Sequence, residues 1–483
     1  MMKKQVFNPY LPSFEYIPDG EPYVFGDRLY VYGSHDKFAG ATYCENDYVC
    51  WSAPVNDLSD WKYEGVIYRK VSHPEDDIHK RTCLYAPDVV QGADGRYYLY
   101  YSMSGSSIMS VAVSDTPAGE YKYYGDVVDK EGKIVGYYPG DYMQFDPSIF
   151  IDDDGRIYLY SGFAPAADED KAGRKMAGCH VSELEADMLT VKHGPTLLIP
   201  KEWKQEEGAG YFEAPSMRKI NNRYYLVYSA KVTGLYYYYS AYPDRDFVFG
   251  GRIHSTSDVG INGHSVEFPA YPVGNIHGGI VCMNGQYYIF DHRHTNHSSY
   301  SRQGVAEPIF FDEKGMIAQV EATSCGLNGG DLEGKGRYPA YIACNLFYEK
   351  GVEKEDRHAC VTQDIAEVDD VETFASSREF DLEPVGYLHD ISDKCRIGYK
   401  YFEVTESLNK ITVTMRGHAK GIFSIALTEN VEMPESSGKI FLDIDTENWE
   451  KLVVPVNIPC GKVALFFGYS GEGKFDILEF EFL

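Results

Sequence analysis

Short apolar segments rich in tyrosine recur five times in the first two thirds of the chain, each after a turn marked by glycine or asparagine. Their first residues are 68, 60, 67 and 63 positions apart. Tyrosine and β-branched residues favour extended chain, so each segment predicts a strand. The strands begin at Arg28-Leu29-Tyr30, Arg96-Tyr97-Tyr98, Arg156-Ile157-Tyr158, Arg223-Tyr224-Tyr225 and Gln286-Tyr287-Tyr288.

Each of the first four units continues with a second apolar segment, at 49–54, 108–114, 177–182 and 236–241. A polar or aromatic turn and a short outer segment follow, as in 57–65. The pattern therefore predicts about four short strands in each unit. Four-stranded units repeated around an axis are the blades of a β-propeller, so the pattern predicts a five-bladed propeller domain over residues 1–320.

The pattern changes beyond residue 320. Residues 324–336 hold five glycines and little hydrophobicity, which predicts a connector over 321–337. Four segments that alternate as half-buried strands then follow, at 410–415, 423–427, 462–467 and 475–482. They predict a β-sandwich over 338–483. No long helical pattern occurs, so the predicted fold class is all-β.

Charge narrows the possible partners. The chain has 73 acidic and 45 basic residues, a net charge of −28, which disfavours nucleic acid and anionic membranes and suits a neutral ligand.

No apolar run approaches the roughly 18 residues of a membrane helix. The two lysines near the start precede no apolar run, which predicts a cytoplasmic protein, or a secreted one if a leader had been removed. Ten irregularly spaced cysteines predict buried free thiols.

Each unit has an acidic residue or a histidine eight to ten residues before the first residue of its tyrosine-rich strand. If the units close into a ring, side chains at this position converge on its centre. Three of the carboxylates precede a proline by one to three residues, and proline suits the start of a strand, so these carboxylates should lie at the mouth of the channel. The residues at the recurring position are Asp19, Asp88, Asp146, Glu213 and His277.

Converging carboxylates without the spacing of a metal site suit cleavage of a glycosidic bond. One protonated carboxyl group donates a proton to the leaving oxygen, while an ionised one activates water or attacks directly. Like charges in a closed funnel raise the pKa of one group, and this supplies the acid.

The motifs around these residues resemble glycoside hydrolase family 43. The resemblance covers roughly residues 8 to 315, and its motifs are specific only when taken together. They are Asn8-Pro9, Pro18-Asp19 followed by Gly26, Ala86-Pro87-Asp88, Phe145-Asp146-Pro147, Glu213-Ala214-Pro215, Asn275-Ile276-His277-Gly278 and Asp291-His292-Arg293-His294-Thr295.

The resemblance implies an inverting enzyme, with Asp19 as the general base and Glu213 as the general acid. Asp146 would orient the acid and raise its pKa. Glu21 is a rival base, because Asp19-Gly20-Glu21-Pro22 departs from the Asp-Pro of many members. Further expectations are substrate contacts at Asp88 and Arg293 (alternatively a structural ion pair at Arg293), and a histidine on the channel axis, His277, that binds a metal ion or water or is only a core residue.

Aromatic residues near the first strand suggest a sugar platform. Trp51, with Phe38 and Tyr43, could stack on a sugar ring, or Trp51 could only pack between blades. His35 could line the pocket.

The predicted function is an exo-acting glycosidase that releases α-L-arabinofuranosyl or β-D-xylosyl units from plant-type oligosaccharides. The alternatives are a galactofuranosidase or galactan-trimming enzyme of the same family and a non-catalytic sugar-binding propeller. No cofactor is needed for the chemistry, although calcium could bind near His277 or in the C-terminal domain. That domain resembles, weakly, a family 6 carbohydrate-binding module. The sequence does not predict the oligomeric state.

Overall fold

The computed structural model describes residues 6–74, 83–203, 206–364, 386–429 and 436–483. This part of the chain is almost entirely strand, which confirms the all-β prediction. The helices in it are single 3₁₀ turns, and none is long and apolar enough to cross a membrane. They lie at Lys70–Ser72, Gly326–Asn328, Ala340–Ile342 and Lys354–Asp356.

Five antiparallel sheets follow one another along the chain, and each is one blade. Blade 1 holds β1 (Glu21–Phe25), β2 (Arg28–Tyr32), β3 (Tyr48–Pro54) and β4 (Lys62–Tyr68). Blade 2 holds β5 (Asp88–Gln91), β6 (Tyr97–Tyr101), β7 (Ser110–Ser114) and β8 (Lys122–Asp126). Blade 3 holds β9 (Ser148–Ile151), β10 (Ile157–Ser161), β11 (Gly178–Leu184) and β12 (Val191–Pro200). Blade 4 holds β13 (Glu213–Ile220), β14 (Arg223–Ser229), β15 (Leu235–Ser240) and β16 (Val248–His254). Blade 5 holds β17 (Ile280–Met283), β18 (Gln286–Thr295) and β19 (Ser298–Ile309).

The predicted tyrosine-rich strands are the second strands of the five blades. They are buried because the hydrophobic clusters lie between consecutive blades, with one cluster at each of the five junctions. The cluster between blades 5 and 1 closes the ring, and this confirms the five-bladed propeller.

The N-terminal segment completes the outer edge of blade 5. The Tyr10 N–H donates to the Gly304 carbonyl at 3.3 Å. The Asn8 side chain donates to the Ala306 carbonyl at 3.0 Å and accepts from the Ala306 N–H at 2.9 Å. Asn8 therefore acts as a backbone surrogate, and the two ends of the propeller are fastened to each other.

The remaining strands form one hydrogen-bonded sheet that folds back on itself. Phe467 and Phe480 are both on β28, 13 residues apart, which is about 40 Å in an extended strand. Their ring centroids are nevertheless 5.5 Å apart, so β28 doubles back and the predicted sandwich is confirmed. The strands are β20 (Leu332–Glu333), β21 (Gly336–Pro339), β22 (Asn345–Tyr348), β23 (Cys360–Gln363), β24 (Gly386–Ile391), β25 (Cys395–Val404), β26 (Leu408–Ala426), β27 (Gly438–Ile458) and β28 (Gly461–Phe482).

The C-terminal sheet starts within the segment predicted as a connector. Strand β20 and the first residues of β21 fall inside 321–337 and pair with β25 and β28. The glycines there permit turns but do not prevent pairing. The exact domain boundaries stay a prediction.

All ten cysteines have free thiols, and eight are buried.

Candidate active site

An unusual backbone conformation occurs at two predicted catalytic residues, Asp19 and Asp146, and at Ala214, the residue after Glu213. Asp19, Asp146 and Ala214 have positive φ values of 59°, 46° and 64°. L-residues rarely adopt this region, and such residues concentrate at functional sites. Asp19 and Asp146 lie two residues before β1 and β9, and Ala214 is the second residue of β13. The same turn therefore recurs in blades 1, 3 and 4, with Glu213 one residue before the matching position of blade 4.

Asp19 lies in a buried cationic environment. Its Oδ1 is 3.0 Å from Arg302 Nη1 and 3.4 Å from His292 Nδ1, and its Oδ2 accepts from the Ser34 hydroxyl at 2.6 Å. Burial alone would raise the pKa of Asp19, but Arg302 and the nearby histidines, together with the Ser34 hydrogen bond, lower it to about 2. Asp19 is therefore ionised at neutral pH.

His292 is neutral beside it. Its Nδ1 accepts from the Asp19 backbone N–H at 3.2 Å, so the ring proton lies on Nε2, which donates to the Asn275 carbonyl at 2.9 Å. Burial lowers the pKa of His292 well below its usual range. The histidine thus fixes the backbone of Asp19 and does not compete for its proton.

The other two carboxyl groups have pKa values shifted in the opposite direction. Burial, with a further contribution from Asp19, raises the pKa of Asp146 to about 7, against the opposing charge of His277. Burial, then the charges of Asp146 and Asp19, raise the pKa of Glu213 well above its usual range. Glu213 is half-buried, whereas Asp19 and Asp146 are buried. The site thus combines an ionised Asp19 with a protonated Glu213.

His277 lies beneath these residues, on the channel axis. Its Nδ1 is 3.8 Å from Asp146 Oδ2, and its Nε2 is 3.8 Å from Glu21 Oε1. Burial alone would lower the pKa of His277, but Glu21, Asp146 and Asp19 raise it to about 9. The imidazolium is the positive counterpart of the carboxylates above and below it.

Glu21 is the deeper of the two rival bases. It is fully buried, and its Oε2 is 2.6 Å from Arg218 and accepts from the Ser216 hydroxyl at 3.1 Å. With this ion pair beneath the axial histidine, Glu21 is not placed to activate a water molecule, and the geometry favours Asp19.

Among the residues that the structure describes, neither of the two places predicted for calcium offers a suitable set of ligands. An imidazolium has no free lone pair, and calcium takes six to eight oxygen ligands, so His277 with its two carboxylate neighbours does not form a calcium site. In the C-terminal domain, His389, Asp390 and Asp476 converge. Asp476 is already paired with His389 at 2.8 Å and Arg416 at 3.0 Å, and Lys474 pairs with Asp390 at 3.0 Å, so these charges are balanced.

Arg293 does not lie beside the catalytic carboxylates, and Arg302 lies there instead. His292 and Arg293 are consecutive on β18, so they point to opposite faces, and His292 faces Asp19. Arg293 donates instead to the carbonyls of Tyr341 at 2.6 Å and Ala343 at 2.7 Å in the C-terminal region. Arg302, on β19, is the arginine at the site. No sequence motif marks it, since only the pairing of β18 with β19 brings it to Asp19.

Arg302 is held rigidly by a second carboxylate. Its Nε and Nη2 donate to the two oxygens of Asp36 at 2.8 and 3.0 Å, leaving Nη1 for Asp19. This two-point clamp fixes the planar guanidinium so that it positions Asp19.

Three residues predicted to contact substrate, Trp51, His35 and Asp88, lie buried and bond to other parts of the protein. Trp51 is fully buried between blades and donates from Nε1 to Glu15 at 2.7 Å, so it offers no face to a sugar. His35 uses both ring nitrogens, at 2.9 Å to Glu15 and 2.8 Å to the Asp47 carbonyl.

Asp88 is also inaccessible. It has no exposed surface and accepts from the Tyr23 hydroxyl at 2.6 Å and the Ile149 N–H at 2.7 Å. Asp88 opens β5 opposite Tyr100, as Glu21 opens β1 opposite Tyr32, so in the structure it matches Glu21 and not Asp19. Its carboxylate links blade 2 to blade 1 through Tyr23 and to blade 3 through Ile149, which is a structural role.

Two predicted aromatics stay at the rim. Phe38 is half-buried against Tyr16, with ring centroids 5.6 Å apart. Tyr43 packs edge-on against Tyr300 at 4.7 Å and lies under the Arg302 guanidinium at 4.9 Å. Their contact with sugar stays a prediction.

An arc of aromatic rings near Asp146 and Glu213 was missed from the sequence. Four half-buried rings follow one another, with centroid separations of 5.8, 5.1 and 5.2 Å. A signal was available, because a phenylalanine directly precedes each of the two carboxylates. We call these residues the aromatic arc: Tyr85, Phe145, Phe163 and Phe212.

A propeller with converging carboxylates of opposed pKa shifts is the architecture of a glycoside hydrolase. Residues 8–317 match the model of the glycosyl hydrolases family 43. The chain is also 44% identical to a xylosidase/arabinosidase of Thermoclostridium stercorarium, over 99% of each chain. The chain therefore belongs to glycosyl hydrolase family 43, and the prediction of an enzyme is confirmed over the alternative of a non-catalytic propeller.

Solved structures share the fold. A family 43 arabinoxylan arabinofuranohydrolase from Bacillus subtilis, in complex with cellotetraose, matches with a TM-score of 0.51 at 18% identity, over 98% of this chain and 97% of that one. A family 43 β-xylosidase/α-arabinofuranosidase from a compost metagenome, in complex with xylotriose, matches with a TM-score of 0.53 at 24% identity, over 66% of this chain and 98% of that one. The substrate class is carbohydrate.

Proposed function

We propose that this chain is an inverting exo-glycosidase that releases terminal pentose units, with Asp19 as general base and Glu213 as general acid. The observation that carries the assignment is the opposite shift of the two pKa values, to about 2 for Asp19 and well above the usual range for Glu213. Groups whose environments separate their pKa values in this way are suited to opposite roles.

The reaction is a single displacement. Asp19 takes a proton from a water molecule, and the water oxygen forms a bond to the anomeric carbon on the face opposite the leaving group. The bond from that carbon to the leaving oxygen breaks, and Glu213 gives its proton to that oxygen. Attack from the opposite face inverts the anomeric configuration. Proton exchange with solvent returns both carboxyl groups to their starting states.

Two groups support the reacting pair. Arg302 and the Ser34 hydroxyl hold Asp19 in its ionised form. Asp146 shares its environment with Glu213, and its charge keeps the Glu213 proton in place until the leaving oxygen takes it. Both are positioning roles, since they act through the reacting carboxyl groups.

The sugar is assigned from the relatives. The Thermoclostridium stercorarium protein is named a xylosidase/arabinosidase and aligns over nearly the whole chain. α-L-Arabinofuranosides and β-D-xylosides place their ring atoms similarly, so a single site can accept both. A neutral pentose also suits a protein with a net charge of −28.

The test is a screen of aryl glycosides followed by NMR of the first product. Hydrolysis of aryl β-D-xyloside or α-L-arabinofuranoside with an inverted anomer is the expected result. A retained anomer would refute Asp19 as a base that activates water. Hydrolysis of only hexosides or galactofuranosides would refute the pentose assignment.

A further inference from the structure

A large cavity lies next to the segment that leads into Glu213. It has a volume of about 780 Å³, within the usual range of ligand sites, and its wall includes Tyr211 and Phe212, the two residues before Glu213. Lys231 forms part of the same wall and lies 5.6 Å from the Phe212 ring centroid. The cavity therefore lies between blades 3 and 4, on the Glu213 side of the catalytic group.

The position of the cavity indicates what enters it. The acid donates to the leaving oxygen, so the chain that departs must lie next to Glu213. On the other side of the site, Asp19, Arg302 and Asp36 are buried and bonded to one another. The space adjoining Glu213 is thus suited to the leaving group.

The aromatic arc connects the carboxylates to this cavity. Phe145 directly precedes Asp146 in sequence. The Phe163 ring lies between the rings of Phe145 and Phe212, and Phe212 belongs both to the arc and to the cavity wall. The Ala164 N–H donates to the Phe212 carbonyl at 2.8 Å, which ties the loop after β10 to this wall. The rings meet at interplanar angles of 64°, 44° and 66°, so together they form a partly exposed apolar surface against which the C–H faces of sugars can pack.

The charges of the wall select a neutral chain. Three glutamates line it, Glu202, Glu206 and Glu207, against Lys201 and Lys231. Lys201 is already paired with Asp168 at 2.5 Å. The wall is therefore net negative and repels acidic sugars.

We propose that this cavity is the leaving-group site, which binds a neutral oligosaccharide of more than one sugar unit with Phe212 as its stacking wall. The proposal rests on the proposed function, since it assumes that Glu213 protonates the leaving oxygen. It adds a preference for longer, uncharged substrates and names the residues that set it.

The test is the gain in kcat/KM from β-linked xylobiose to xylotetraose. We expect a gain of about tenfold in the unmodified protein, equivalent to about 1.4 kcal/mol. Ala166 lies exposed in the cavity wall, so Ala166→Trp fills the space and should bring the ratio close to one. Phe212→Leu, which keeps an apolar side chain but removes the ring, should lower the same ratio. A xylo-oligosaccharide with a glucuronosyl group on its leaving part should be a poorer substrate than the undecorated one.

The matched control is Ala93→Trp. Ala93 is exposed in the turn between β5 and β6, at the end of the hairpin away from Asp88, and should leave the ratio as it was. The absence of a chain-length gain in the unmodified protein, or its persistence in Ala166→Trp, would overturn the leaving-group site while hydrolysis of aryl pentosides leaves the proposed function standing. Failure to hydrolyse any pentoside would overturn both.

Discussion

Arg302→Met tests how the protein keeps its base ionised. Arg302 lies 3.0 Å from Asp19, whose pKa is about 2 against an ordinary 3.8. This shift of roughly 1.8 units corresponds to about 2.5 kcal/mol in favour of the charged form. Asp146 is equally buried but has no arginine in contact, and its pKa is about 7. Without the guanidinium, the pKa of Asp19 should therefore rise to between 4 and 7, the range from its ordinary value to that of Asp146.

The assay is the pH profile of kcat/KM on an aryl pentoside. A general base works only when ionised, so the rate falls as the pH drops through its pKa. Raising that pKa moves the acidic limb to higher pH, by at least about 2 units in Arg302→Met. Restoring the activity of the variant by raising the pH would separate this effect from a general loss of structure. The variant also removes the cationic partner of buried Asp36, so we expect a loss of stability of about 3–5 kcal/mol, measured by urea unfolding.

Two further variants make the result decisive. Arg302→Lys keeps the charge and should leave the limb closer to its original position. Arg293→Met removes the neighbouring arginine that faces away from the site, so the limb should not move. An unchanged limb in Arg302→Met, or an equal shift in Arg293→Met, would refute the electrostatic reasoning.

Other outcomes follow from the same structure. Glu213→Gln should lose about 10²–10⁴-fold in kcat on substrates with poor leaving groups, yet retain far more on an aryl glycoside of a strongly acidic phenol, and equal losses on both would contradict its role as acid. Asp19→Asn should lose activity on both substrates, because water activation is needed whatever leaves; activity on either would contradict its role as base. Trp51→Phe should lower the free energy of unfolding by about 1–3 kcal/mol, since buried Glu15 loses a donor, with little change in kcat/KM; a large kinetic effect would return Trp51 to the sugar site. The alkaline limb of the wild-type profile should reflect Glu213, with activity falling as the pH rises through its raised pKa.

The sequence by itself determined the repeat. Strands of tyrosine and apolar residues, separated by turns at near-equal intervals, allow few arrangements other than blades around an axis. The constant offset of Asp19, Asp146 and Glu213 then placed three carboxylates at one end of the ring. Local pattern was sufficient here because a repeat transfers the position of one unit to the next.

Tertiary structure decided which side chains surround the carboxylates. Arg302 reaches Asp19 from a strand nearly 300 residues away in sequence, through the pairing of β18 with β19 and the closure of blade 5 onto blade 1. The sequence motif favoured Arg293 as the arginine of the site, but successive side chains of β18 point to opposite faces of the sheet, and Arg293 points away from Asp19. Asp88 has nearly the same sequence offset as Asp19, but the strand register matches it to Glu21, and Tyr23 and Ile149 bond its carboxylate. Burial, and with it the separation of pKa values that makes one carboxyl group a base and another an acid, depends on all blades together, so no segment of the chain specifies it alone.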